Sequence, residues 1–493
     1  MFNKVLIANR GEIAVRIIRT LRDMGIWTIA VYHEEDIHSL HVRLADEAIA
    51  LKQKVDDPQA AEILEIAHAT GAEAIHPGYS FGAERYDFAR PVEKEGFVFI
   101  GPPSQVIREL NRKVTMLERA EQAGFRTPRH SDTAFNVGDM EAIRRAADEL
   151  GYPVVIKARR GGRGRGVRLV RRPEQLERMV QSAGAEAMAV YHDSRIYLER
   201  AIYPVLHVDV QILADRHGNV IHLGERCSAL QHHNQKIICE TPAPCLSEQQ
   251  RRQVWEMAIE LARLFGYENA GTVEFLVEPG GEIYFSDFKA RIQIEHPVTE
   301  MVTGIDLVQE QLRLAAGEPL RWRQQDIRFE GHAMQCRINA EDPWKNFLPS
   351  PGSLRRFRLP GGLHVRVDTY GYTGGYVPRV YDPLLAKVIV WGESRDACIG
   401  RMRRALQDFI IQGIPTNLPL HQGILNHPAF LAGRYEAMLT QEAGLNEPAD
   451  EAHLRDLAVI MAVAYMRRHQ APQPVIPERL TTGWHRSARR LPQ

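Results

Sequence analysis

The sequence has no excess charge of either sign. Its 493 residues carry 62 lysine and arginine against 62 aspartate and glutamate, a formal net charge of +0, so nothing in the bulk electrostatics calls for a nucleic-acid or membrane partner. Cysteine is sparse. The five, Cys227, Cys239, Cys245, Cys336 and Cys398, lack the close paired spacing of metal or redox motifs, as expected in a reducing compartment. No apolar run approaches the roughly 18 residues of a membrane span, and in the opening MFNKVLIANRGE polar and acidic residues arrive too soon for a signal-peptide core. The turn NRGEI holds a single glycine and does not fit the G-x-G-x-x-G phosphate fingerprint. These absences predict a soluble, cytoplasmic chain with no nucleic acid and no membrane among its partners.

What is present is an ordinary globular composition, 44% hydrophobic and 25% charged, in a chain too long for one core. A prior of about 150 residues per domain predicts about three domains. KVLIA at 4–8, the helical spacing of Ile13, Ile17, Leu21 and Met24, and WTIAVY at 27–32 read as strand, helix and strand. A helix over 62–70 and the strand-to-loop AEAIHPGY continue the alternation, which predicts an open parallel sheet closing near residue 103 with GFVFIGPP. From about 129 to 201 comes a smaller unit of two helices and the strands PVVIKA, VRLV and RIYLERAI around the loop RRGGRGRG; its size and glycine-rich hairpin predict a mobile lid. Long strands separated by helices then run to about 446, as in an α+β body, and the tail beyond contains a helix-like DLAVIMAVAYMRR.

The densest chemistry lies in YFSDFKARIQIEHPVTE, residues 284–300. Read as one strand, its period of two turns Asp287, Lys289, Arg291, Gln293 and Glu295 to one face and Phe288, Ile292 and Ile294 to the other. A solvated edge strand would show the same alternation, so the decision rests on its company. Backbone N–H groups of a loop containing Gly161, Gly162, Gly164 and Gly166 can approach phosphates, with Lys157 on the preceding strand adding a point charge. Glu199 leaves a strand beside apolar residues, a composition suited to the amino group and ring of a purine. Glu274 and Asp287, on neighbouring strands, could hold a Mg²⁺ ion bridging nucleotide phosphates. Together with Lys113 these residues outline a nucleotide site.

IANRGEIAVRIIRTLRDMG, AIHPGYSF, FIGPP, PVVIKA, HVDVQILAD, GTVEF, RIQIEHPVTEMVTGIDLVQEQL, GHAMQCRINAEDP, YDPLLAKVIVWG and GIPTNLPLH follow one another in the order of a known family. From Met1 to about Ala443 the sequence resembles a biotin carboxylase, the ATP-grasp component of biotin-dependent carboxylases such as acetyl-CoA carboxylase or two-subunit pyruvate carboxylase. The resemblance implies a mixed α/β and α+β chain with the ATP-grasp fold. Its parts would be a Rossmann-like N-terminal domain at 1–112, an ATP-grasp domain at 113–330 containing the lid 129–201, a C-terminal biotin carboxylase domain at 331–446 and an extension at 447–493. It implies carboxylation of biotin by bicarbonate through carboxyphosphate, with ATP and Mg²⁺ or Mn²⁺, in a homodimer. Lys113, Lys157 and the glycine loop would meet the phosphates, Glu199 would be the hinge acid, and His207 and Gln231 would lie beside the nucleotide. Glu274 and Asp287 would ligate metal. Lys236, Arg291, Gln293, the backbone at Ile294, and Glu295 would form the bicarbonate pocket, and Arg337 would face the ureido oxygen. The sequence has no MKM biotinylation site, so biotin is expected on a separate carrier protein, with a carboxyltransferase subunit choosing the acceptor.

The departures from the family pattern gather in the nucleotide and metal half. Arg160 and Arg163 interrupt the glycine run, where positive φ would cost arginine roughly 1–2 kcal/mol. Asp287 stands for the usual glutamate and Lys289 for the usual asparagine; a charged lysine has no lone pair and repels Mg²⁺. Ser228, His232, His233, Asn234 and Cys239 are further changes. Two functions therefore compete: a biotin carboxylase subunit, and an impaired paralogue that binds and regulates an active carboxylase. Bicarbonate-dependent ATP hydrolysis discriminates them.

Overall fold

The computed structural model describes residues 1–52, 60–79, 81–160, 166–203, 205–232, 235–278, 280–435 and 459–466. Strand β1 (Lys4–Ile7) lies mid-sheet because its run is apolar on both sides: Val5, Leu6 and Ile7 are fully buried, as befits a parallel strand covered on two faces. With β2 (Trp27–Tyr32), β3 (Glu47–Ala50), β4 (Ala74–His76) and β5 (Val98–Phe99) it forms the parallel order β3-β2-β1-β4-β5. The helix Gly11–Asp23 buries Ile13, Ile17 and Leu21 in a core it shares with Leu307, Val308 and Leu312 from the helix Leu307–Ala315.

A second, three-stranded sheet has β6 (Val154–Ala158) between β7 (Arg168–Val170) and β8 (Ile196–Arg200), all antiparallel. Helices Met140–Leu150 and Leu176–Tyr191 cover it, and Ile143, Val154, Ile156, Val180 and Leu198 make a core of its own.

The third sheet is the largest. β9 (Leu206–Ala214), β10 (Val220–His232), β11 (Gln235–Thr241), β12 (Asn269–Val277), β13 (Ile283–Lys289) and β14 (His332–Asn339) join the strands Val365–Thr369 and Leu384–Gly392 in one antiparallel array. The order begins β13-β12-β9-β10-β11-β14, so the ladder runs unbroken from β11 into β14 through pairs such as Ile238↔Cys336. Residues Met1–Gly444 form one unit and Leu445–Gln493 another; in the second, residues 459–466 are helical with exposed apolar side chains. Among the described residues no helix is long and apolar enough to cross a membrane.

One expectation is overturned. Residues 284–300 are not a single strand: β13 ends at Lys289, residues 290–295 leave the ladder, and the helix His296–Thr303 follows, with Pro297 in its first turn where a missing N–H costs nothing. Alternation therefore places only Asp287 and Lys289. Arg291, Gln293 and Glu295 each find a partner on a different element, which one flat strand face could not provide.

Glu300 on that helix ties the layers together. It accepts from Arg16 of the first helix at 2.9 Å, from Arg366 of Val365–Thr369 at 2.7 Å and from the Leu307 backbone at 2.9 Å. Burial pushes its carboxyl up, but Arg16 and then Arg366 outweigh this and bring it down to about 2. A lowered carboxyl stabilises the fold above its ordinary value and loses that contribution as pH falls toward the lowered one. Glu300→Gln, which removes the anion shared by Arg16 and Arg366 while leaving Asp306 to the first and Asp368 to the second, should cost roughly 1–3 kcal/mol in urea unfolding at neutral pH. The gap to the parent chain should narrow as pH is lowered from about 5 to about 3.

Candidate functional site

The registers Asp209↔Glu274 and Glu274↔Asp287 set three carboxylates side by side across β9, β12 and β13. Facing Cβ atoms in such a ladder lie roughly 4.5–5.5 Å apart, where like charges repel. Three lysines interleave with them. Lys236 on β11 reaches Asp209 Oδ2 at 2.5 Å and Glu274 Oε1 at 3.3 Å. Lys289 reaches Asp287 Oδ2 at 2.5 Å and Glu274 Oε2 at 3.6 Å, and Lys113, which opens the helix Lys113–Gln122, pairs with Asp287 Oδ1. Burial works to raise the Glu274 and Asp287 carboxyls; Lys289 and Lys236 for the first, Lys113 and Lys289 for the second, hold both well below the usual carboxylate range. Burial likewise opposes the Lys289 charge, and Asp287 and Glu274 more than restore it.

The segment 290–295 carries the second group. Arg291 is buried, its Nε 3.1 Å from Glu84 Oε2 in an ion pair too oblique for a hydrogen bond, while its Nη1 donates to the Ile292 carbonyl at 3.0 Å. Gln293 donates to Glu274 Oε1 at 2.8 Å and accepts from the fully buried Arg226 at 2.7 Å. The Ile294 carbonyl accepts from Lys387, 3.4 Å away. Glu295 is 1% exposed and accepts from Arg337 Nε at 2.7 Å. Burial alone would raise its carboxyl; Arg337 first and Lys236 next draw it down to about 2. Asn417 and His421 donate to the Arg337 carbonyl at 3.0 and 2.7 Å, fixing the backbone behind the guanidinium.

The residues expected to meet the nucleotide are also partnered within the protein. Lys157 lies 2.7 Å from Glu199, a buried acid that also accepts from Tyr197 at 2.8 Å. Burial and then Lys236 push the His207 imidazole down to about 4, so it is neutral at physiological pH. Gln231 donates to the Ser228 carbonyl at 3.0 Å. Gly161, Gly162, Gly164 and Arg163 lie outside the described residues, as do His233 and Asn234. Gly166 has φ +70 and gives its N–H to Glu186 at 2.9 Å. Arg160 does not adopt positive φ and sits 3.7 Å from Asp193, so the strain expected at this position is absent.

Glu274 and Asp287 do not fit a divalent ion as they stand. Glu274 Oε1 faces Gln293 and Lys236, Glu274 Oε2 faces Lys289, Asp287 Oδ1 accepts from Lys113 and from the Phe288 backbone at 2.8 Å, and Asp287 Oδ2 faces Lys289. All four oxygens are engaged by donors, three of them ammonium groups. Among the described residues no three His, Cys, Asp or Glu side chains gather as a metal-binding group.

Four residues escaped the sequence reading. Asp209 shares a strand face with His207 two positions earlier, a signal that alternation could have supplied. Glu84, Arg226 and Lys387 had none, since each acts across distant elements. Arg226 binds Gln211, Thr272, Gln293 and Thr299, and Lys387 lies 3.0 Å from Glu12 and 3.7 Å from Asp368.

Three family models match in chain order: Biotin carboxylase, N-terminal domain over residues 1–107; Carbamoyl-phosphate synthase L chain, ATP binding domain over 112–323; and Biotin carboxylase C-terminal domain over 335–441. A biotin carboxylase of Haemophilus influenzae is 46% identical over 454 residues, 91% of this chain and 100% of that protein. The small subunit of 2-oxoglutarate carboxylase from Hydrogenobacter thermophilus is 43% identical over 444 residues, 90% of this chain and 94% of that protein. The crystallised biotin carboxylase domain dimer of the same Hydrogenobacter enzyme, in complex with MgADP, ADP and bicarbonate, has a TM-score of 0.87 at 42% identity and covers 91% of this chain and 100% of its own. With its three parts matched in order and its identity sustained along whole relatives, the chain belongs to the biotin carboxylase family.

Proposed function

We propose that residues 291–295 and Arg337 form the reaction centre of an ATP-dependent ligase that carboxylates biotin with bicarbonate. The chain is a biotin carboxylase by family, and its cosubstrates are ATP with its magnesium counter-ion, bicarbonate and biotin. The observation that carries the site assignment is the buried Glu295–Arg337 pair, set beside Lys236. In the first step an oxygen of bicarbonate bonds to the γ-phosphorus of ATP, the bridging P–O bond breaks and ADP leaves with the electron pair. Arg291 offers bicarbonate the planar fork that suits it and Lys236 a point charge. Glu295 receives the bicarbonate proton. A carboxylate held near 2 by Arg337 is a weak base, and its basicity rises as the guanidinium turns toward the ureido oxygen of biotin. In the second step the departing phosphate takes the proton of a ureido nitrogen, which bonds to the carboxyl carbon as the C–O bond to phosphate breaks, while Arg337 stabilises the negative ureido oxygen.

We infer that the unit spanning 129–201 closes over ATP about Pro128 and Glu199, excluding water from carboxyphosphate. We assign the chain to the cytoplasm and to a homodimer served by a separate biotin carrier protein and a carboxyltransferase subunit. The relative that serves as the small subunit of 2-oxoglutarate carboxylase supports that division of labour, and the acceptor is chosen outside this chain.

Phosphate release should depend on bicarbonate and be stimulated by free biotin; nucleotide binding without turnover would instead support the impaired, regulatory reading. Glu295→Gln should lower kcat by roughly 10²-fold or more with ADP affinity retained. Arg291→Lys should raise the KM for bicarbonate by roughly tenfold and leave the KM for ATP near that of the parent, since only the two-point grip on the anion is lost.

A further inference from the structure

A lysine ammonium set between two buried carboxylates on adjacent strands is an unusual thing to find facing a triphosphate site. Lys289 pairs in register with Thr272, two positions along each strand from the Glu274↔Asp287 pair, so its side chain runs alongside both acids and its Nζ lies within 4 Å of each. Its side chain is 12% exposed, and those of Asp287 and Glu274 are 15% and 21% exposed. The row Asp209, Glu274, Asp287 is balanced one for one by Lys236, Lys289 and Lys113, three negative and three positive groups. A divalent ion between Glu274 and Asp287 would place two further positive charges against the ammonium and would need several oxygens around it at about 2.1 Å. The four carboxylate oxygens are already engaged.

We propose that Lys289 is a tethered counter-ion: it stands where a divalent ion would bridge Glu274 and Asp287, so the chain takes up its nucleotide with one divalent ion, carried on the phosphates, and no second ion held by this carboxylate pair. An ammonium has three N–H donors and can serve two carboxylates and a phosphate oxygen together. Being covalently attached, it is present at any magnesium concentration. The inference rests on the reading that this cleft binds ATP and deepens it.

The test is to count Mn²⁺ ions bound per ADP by the full chain using electron paramagnetic resonance, alongside ADP affinity in EDTA by calorimetry. The parent chain should bind one Mn²⁺ per bound ADP and hold ADP in EDTA to within roughly tenfold of its affinity with Mg²⁺. Lys289→Asn should bind two Mn²⁺ per ADP and lose affinity in EDTA by a further tenfold or so, restored by Mg²⁺. Lys289→Gln, nearer in length to the native side chain, serves if the first variant does not fold. Two ions per ADP in the parent chain, or one ion in both chains with equal affinity in EDTA, would overturn the proposal. Absence of ADP binding by the parent chain under every metal condition would instead remove the nucleotide-site reading on which it stands.

Discussion

A buried carboxylate needs a cation or a set of hydrogen-bond donors within reach, and in this protein the cations join elements that are distant in sequence. Removing one partner from a buried pair costs roughly 3–5 kcal/mol, because the remaining charge has neither water nor counter-ion. The row Asp209, Glu274, Asp287 therefore obliges β11 to bring Lys236 and the helix Lys113–Gln122 to bring Lys113. The same rule operates at the other junctions. Glu300 joins the first helix to the strand Val365–Thr369 through Arg16 and Arg366, Glu240 on β11 takes His332 and Arg395, and Glu12 takes Lys387. Apolar burial builds the layers and, through one shared core, joins the first sheet to the third; paired charges add specific ties where layers meet.

The site inherits this pairing. Glu295 is held by Arg337, Lys157 by Glu199, and Arg291 by Glu84, so every charged group assigned to the chemistry already has a protein partner. On the proposed assignment substrates would act by exchange: an anion that takes Arg291, or a ureido oxygen that takes Arg337, would release a carboxylate whose basicity rises. On that assignment the pairs that stabilise the fold would also govern its reactivity. The departures from the family pattern fit within this logic, for Lys289 has two acids to serve and Ser228 donates to Asp209 at 2.8 Å, so neither leaves a buried polar group stranded.

Local pattern made much of the fold readable. The run KVLIA and the helical spacing of Ile13, Ile17 and Leu21 yield the parallel layer, because such periodicities depend only on neighbours in sequence. Ordered motifs made the family readable, and the types of residue in RIQIEHPVTE are what suggested acid and guanidinium chemistry there. Alternation failed beyond Lys289, where the chain leaves the ladder to satisfy three partners at once.

What the amino-acid order settled by itself is therefore the family and the layers of the fold, since both follow from ordered motifs, side-chain type and short-range period. Which acid meets which base was decided only in three dimensions. Glu84 beside Arg291, Arg226 beneath Gln293, Lys387 against Ile294 and Lys289 between Glu274 and Asp287 are contacts across strands or distant segments. Electrostatic pairing depends on distance through space, to which distance along the chain is no guide.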